Sequence, residues 1–301
     1  MMSVHQSSTP WYVKFQRIPK PVIYVILVLA FLVPLVRPMG LPLVMSENTE
    51  KAYELVDSLP EGSIVFHSIA FNPAVDAENW PQMLALTRHY MNKGLKVIYY
   101  PTMQEGGMYA ERIRSTYASE HGYVYGEDYA ILPFMAGGES AVAGLKDFWS
   151  FMPEDVDGTP LEELPLFRDF TDMRDVAAIV PCTGSQDGLF YVSHLHTAYK
   201  TPVIIAGTAP VLPFLGPYLA SGQVQGAIIG LSGAAEYEIL ARVPGQATGA
   251  MDAQSMGHLL IVGLVIFGNV GFLYGKRVDG RNGKNGANGM NAGNGMNGGR
   301  S

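Results

Sequence analysis

The sequence predicts a single three-layer, Rossmann-like α/β domain with a mostly parallel sheet of about six strands, flanked by N- and C-terminal transmembrane helices. Three observations carry that prediction. Nearly continuous, β-branched apolar runs alternate with segments of helical period through the middle of the chain, as in a parallel sheet covered on both faces. Uncharged apolar runs stand near both ends, at residues 21–36 and 256–275. Charge is divided between the ends and the middle. Lys14, Arg17, Lys20 and Arg37 precede residue 38 without an acid, and Lys276, Arg277, Arg281, Lys284 and Arg300 follow residue 257 with Asp279 alone. Residues 38–257 hold 11 basic and 26 acidic side chains, a balance of −15.

Charged residues are only 16% of the 301, against 48% apolar, and the mean hydropathy is +0.12. A soluble domain usually carries about a quarter charged residues, so this composition fits membrane segments attached to a globular body. The acidic body lacks the Lys and Arg needed to displace counterions from a phosphate backbone, and nucleic acid is excluded as a partner. With the single cysteine Cys182 no internal disulfide forms, so the body holds together by packing.

Residues 1–17 read as a cytoplasmic N-terminus and 18–37 as the first span. Its central run, PVIYVILVLAFLVPLV, reaches roughly 24 Å and needs its flanks to cross a hydrocarbon core of about 30 Å. The competing reading is a cleaved signal peptide, but Arg37 follows the run and no small-x-small site does. The second span, residues 256–275, reaches about 30 Å and ends on Lys276 and Arg277. A buried helix of the body is its alternative reading. Basic flanks outside both spans place both termini in the cytoplasm and residues 38–255 outside it. Residues 276–301, rich in Gly and Asn, read as a disordered cytoplasmic tail. In the second span Gly268, Gly271 and Gly275 share a helical face, with Asn269 beside them. That face is expected to pack on another helix, through self-association or against another membrane subunit.

Within the body, residues 46–59 read as a helix with Ser46 as N-cap and Ala52, Tyr53, Val56 and Leu59 on one face. A strand follows at 63–71. The next helix, ENWPQMLALTRHYMNKG, carries Pro81 in its first turn. LKVIYYP is a strand, MYAERIRSTYASEHG a helix and YAILPF a strand, before a less regular region over 138–174. Then DVAAIVPC, TPVIIAG and VQGAIIGL read as strands, and GLFYVSHLHTAYK, APVLPFLGPYLASG and GAAEYEILARV as helices.

A parallel sheet collects ligand groups beyond the carboxyl ends of its strands. That edge assembles His67, Ser68, Thr102, Gly137, Cys182, Thr183, Gly184, Ser185, Gly207, Thr208 and Ser232 as candidate ligand-binding residues. The apolar run before Cys182 is expected to turn at Pro181 and deliver Cys182, Thr183 and Ser185 into a loop. No catalytic constellation is complete. The dithiol position after Cys182 is Ser185, the phosphatase arginine position is Gly188, and no phosphate-loop or nucleophile-elbow motif is present. His194 and His196 are two apart on a helix and point to different faces, so no metal site is expected. Glu236 and Glu238 read as a solvated face. No cofactor is implied. The expected function is a membrane-anchored, non-catalytic binding or assembly subunit of a membrane complex serving transport, secretion or envelope organisation. The alternative is an anchored enzyme or small-ligand sensor working at the strand ends.

Overall fold

A computed structural model describes residues 19–243 and 245–293, with side chains through Arg277. The chain divides into two compact units, Met39–Met251 and the pair Met1–Pro38 with Asp252–Ser301.

The larger unit is an α/β domain. After α2 (Glu47–Ser58) come β1 (Ile64–Ala70), α3 (Asp76–Asn92), β2 (Lys96–Pro101), α4 (Gly106–Arg112) and β3 (Tyr129–Ile131). Short helices α5 (Glu139–Gly144) and α6 (Phe148–Phe151) and four 3₁₀ turns precede β4 (Val176–Thr183). Then follow α7 (Gly188–Tyr191), α8 (Thr197–Tyr199), β5 (Ile204–Gly207), α9 (Leu212–Ala220), β6 (Gly226–Ile229) and α10 (Gly230–Leu240). The six strands are all parallel in the order β3-β2-β1-β4-β5-β6. This is the doubly wound order, and the strand sequence reverses between β1 and β4.

Alternation along the strands feeds two cores. Val65, Ile69, Val97, Val180 and Ile204 point to one face and pack on α2, α3, α4 and α10 through Ala52, Met83, Tyr90, Ala110 and Tyr237. Phe66, Ile98, Ile179 and Ile205 point to the other, onto α5 to α9, through Val142, Phe148, Tyr191, Leu195 and Leu215. Every central strand is therefore apolar on both sides, which is why these runs show no alternation in the sequence.

Three local expectations change. The strand does not turn at Pro181; it continues to Thr183, with Ser68 opposite Pro181 and Ala70 opposite Thr183. Proline lacks an N–H for the ladder, and its effect appears on the β5 side. There Ile179 bridges Val203 and pairing resumes only at Cys182–Ala206. Helix α3 starts at Asp76, so Pro81 lies inside the helix past its first turn. Glu236 and Glu238 do not form a solvated face: they are 5% and 4% exposed. Glu236 Oε2 accepts the Ser46 N–H at 3.0 Å. Glu238 accepts the Ala247 and Thr248 N–H groups at 3.0 and 2.8 Å and the Thr248 hydroxyl at 2.8 Å. Both carboxylates satisfy backbone donors from chain segments that the local pattern does not reveal.

The smaller unit contains α1 (Lys20–Val36) and most of α11 (Gln246–Gly293). Among the described residues one helix, over Gln246–Arg277, is long and apolar enough to cross a membrane. Helix α1 is apolar but shorter; its 17 residues reach roughly 25 Å. Helix α11 begins before Met256 and runs into the Gly/Asn-rich tail expected to be disordered. Of the expected packing face, Gly271 and Gly275 are buried, whereas Gly268 and Asn269 are exposed. A position missed in the sequence is Gly257. A Cβ there would stand 2.5 Å from the Phe31 ring, so glycine is what lets that ring of α1 approach. The expected cytoplasmic N-terminus, residues 1–17, lies outside the described residues.

Candidate ligand-binding site

At the reversal point, the carboxyl ends of β1 and β4 enclose a crevice of about 370 Å³, within the usual range for small-molecule sites of about 300–1,000 Å³. Ala70, Phe71, Asn72, Ala74 and Val75 form one wall, Gly184, Ser185 and Asp187 the other, with Met103 beside them. Each wall is set by local chemistry. Asn72 Oδ1 accepts the Ala74 N–H at 3.0 Å, turning the chain after β1. Thr183 Oγ1 accepts the Ser185 N–H at 3.0 Å and Ser185 Oγ accepts the Asp187 N–H at 3.3 Å, a tight turn between β4 and α7. A Cβ on Gly184 would lie 2.9 Å from Val75 Cγ2, so the walls approach this closely only with glycine there.

The neighbouring edge, over β4, β5 and β6, is closed by α3. Asn79 Nδ2 donates to the Thr183 carbonyl at 3.2 Å and to Gln82 Oε1 at 3.1 Å. Gln82 Nε2 donates to the carbonyls of Gly207 and Gly230, each at 2.9 Å. Both amide side chains are buried. Strand-end carbonyls that a ligand would meet in an open α/β site are here satisfied by two side chains of one helix. Neither residue was singled out in the sequence, because the carbonyls they meet lie more than a hundred residues away.

The candidates separate accordingly. Gly184 and Ser185 line the crevice, and Thr183 holds its turn without lining it. Cys182 is fully buried; its thiol donates to the Asn79 carbonyl at 3.4 Å, and burial pushes its pKa well up. A thiol so held is a packed group rather than a nucleophile. His67 lies on the α3 face of β1, with Nδ1 3.3 Å from the Tyr90 hydroxyl and its ring against Tyr99. Burial holds its pKa down at about 3. Ser68 is buried on the opposite face. Thr102 Oγ1 donates to the Ile69 carbonyl at 3.4 Å. Thr208 Oγ1 donates to the Gly184 carbonyl at 3.3 Å, tying the β5 end to the crevice wall. Gly207 lies on the closed edge, with its carbonyl taken by Gln82. Gly137 stands at φ 136 in the loop before α5. Ser232 lines a separate hollow of about 150 Å³ beside β6, together with Ser46, Leu212 and Glu236. His194 and His196 go to different partners, Glu139 Oε1 and the Thr201 carbonyl, each at 2.9 Å. Among the described residues no group of three or more His, Cys, Asp or Glu is placed to hold a metal ion.

The mouth of the crevice is acidic. Asp187 lines it and stands at the N-cap of α7, so the helix N-terminus already faces a carboxylate where many α/β domains bind phosphate. Asp76 lies nearby, its Oδ2 accepting from the Tyr109 hydroxyl at 3.4 Å. Burial, then the charge of Asp76, pushes Tyr109 up to about 12, with Glu105 adding to the effect. The arrangement disfavours anions and suits a small neutral or cationic molecule with an apolar part. No protein family matches the chain, and no curated protein matches it.

Proposed function

We propose that this chain is a membrane-anchored, non-catalytic binding domain that holds a small neutral or cationic ligand in the crevice between β1 and β4. The observation that carries this reading is the crevice itself: it opens where doubly wound domains bind ligands, while the neighbouring Thr183, Gly207 and Gly230 carbonyls are taken by Asn79 and Gln82. His67 and Cys182, the groups with catalytic potential, are sealed beneath it. The anchoring belongs to the same proposal. Helices α1 and α11 both cross the bilayer, both termini are cytoplasmic, and the acidic domain is extracytoplasmic, in keeping with the basic flanks. Gly271 and Gly275 provide a close-packing surface for the helix pair or for another membrane subunit.

The test is ligand-observed NMR on the full chain in lipid nanodiscs, with a set of neutral and cationic fragments and with methyl phosphate, whose methyl protons report binding of a phosphate group. Saturation transfer to neutral or cationic fragments, lost in Ser185→Trp and absent for methyl phosphate, is the expected result. Binding that is confined to methyl phosphate, or that Ser185→Trp leaves intact, contradicts the proposal.

A further inference from the structure

The acidic domain has a long stretch of chain without charged residues, and part of it lies beside the segment that enters the domain. Met39–Met251 contains 11 basic and 25 acidic residues, a balance of −14. Residues 201–235 contain no Asp, Glu, Lys or Arg, and neither do residues 38–46. Within the first of these stretches Ala209–Ala220 is an apolar helical segment that buries Val211 and Leu215 against the domain. Its outward side is open along Pro213, Gly216 and Pro217, with Leu212 (42% exposed) and Phe214 (48% exposed) on its two flanks.

Both ends of the domain are fastened to α10. On the incoming side, the Ser46 N–H is held by Glu236, and Leu43 packs on Ala234 and Ala235. On the outgoing side, Glu238 caps the first turn of α11, and Ala247 packs on the same two alanines. Leu212 of α9 shares a hollow with Ser46 and Glu236. The Leu212 flank of α9 is therefore next to the incoming chain, where Val44 is itself 92% exposed. The acids around it are engaged: Glu78 accepts the Ala209 N–H at 2.9 Å, Glu236 holds the Ser46 N–H, and Glu47 is paired with Lys51 at 2.6 Å.

From this juxtaposition we infer that α9 is a membrane-contacting helix: Leu212 and Phe214, with Val44, insert at the boundary between headgroups and acyl chains of the bilayer that anchors the protein. The inference rests on the membrane-anchored reading. Ionised side chains lose hydration when pressed against a headgroup layer, and an apolar helix side approaches it without that cost. Exposed Leu and Phe gain by leaving water there, and attachment of both domain ends to apolar helices keeps α9 within reach of lipid. A protein partner or a second copy is the competing occupant.

The test uses the full chain in nanodiscs of phosphatidylcholine with a minority of phosphatidylglycerol. Nitroxide labels are placed at Phe214→Cys, Leu212→Cys, Val265→Cys in α11, and Glu120→Cys as an aqueous reference; buried Cys182 contributes no label. Collision with oxygen is compared with collision with a water-soluble nickel chelate. The expected result is an oxygen-to-nickel ratio at Phe214 and Leu212 several-fold above that at Glu120, approaching that at Val265. A lipid-like Val265 with water-like α9 labels overturns this inference alone. If Val265 is also water-like, the membrane reading fails with it. Labels on α9 shielded from both reagents overturn the inference in favour of a protein occupant.

Discussion

The two halves of the sheet's carboxyl edge are built from the same strand-end turns and end in opposite states. Between β1 and β4 the walls are short turns that satisfy themselves, through Asn72 on one side and Thr183 and Ser185 on the other, and a crevice is left between them. Over β4 to β6 the carbonyls of Thr183, Gly207 and Gly230 are taken by Asn79 and Gln82. What separates open from closed is one helix turn carrying two amides, rather than the composition of the loops. Glycine, serine and threonine at strand ends therefore do not by themselves mark a binding site.

The largest expected effect comes from breaking the closed half. Gln82→Leu leaves two buried carbonyls without donors, and unfolding in denaturant should show a loss of about 2–5 kcal/mol. A loss below about 0.5 kcal/mol shows that water or another group replaces the amide, and that the edge is not sealed. His67, beneath the same helix, gives a pH signature. The folded protein keeps the imidazole neutral down to about pH 3, whereas the unfolded chain takes up the proton near the ordinary value of 6.5. Its contribution is thus complete above pH 6.5 and is lost as pH falls toward 3, with a slope of up to about 1.4 kcal/mol per pH unit. Stability curves at about pH 7, 5 and 4 should be flatter for His67→Leu than for the unmodified chain. An equal slope in both shows that the ring reaches solvent.

Smaller effects belong to the open half. Gly184→Ala drives a methyl group into Val75 and should cost about 1–2 kcal/mol, recovered in part by Val75→Ala. Strict additivity of the two changes places Gly184 and Val75 out of contact. Ser185→Trp fills the crevice from an exposed position, and its stability should stay within about 0.5 kcal/mol of the unmodified chain while ligand binding is lost.

The sheet and its flanking helices were legible because strand formation here depends on local chemistry: β-branched runs, helical periods, and glycines at turns. The carboxyl edge was legible, and Gly184 and Ser185 were named on it; the strand order that puts a reversal there was not. The division of that edge was not, since the Gln82 contacts with Gly207 and Gly230 span 125 and 148 positions. Backbone donors outside the helix likewise explain the burial of Glu236 and Glu238, which a helical pattern assigns to solvent: Ser46, 190 positions away, for Glu236, and Ala247 and Thr248, 9 and 10 positions on, for Glu238. Pro181 misled for a different reason. It reads as a strand breaker, but in this central strand its missing N–H costs only part of the pairing with β5, and β1 keeps the strand in register.

Cys182 and Ser185 stand three residues apart on opposite sides of the boundary between closed edge and open crevice, one fully buried and one exposed. Labelling the folded full chain with a small maleimide, with and without Ser185→Cys, reads that boundary directly. The account predicts that the thiol introduced by Ser185→Cys reacts as an accessible group while Cys182 reacts only as fast as the protein unfolds. Reaction of Cys182 on the same timescale as the introduced thiol contradicts it.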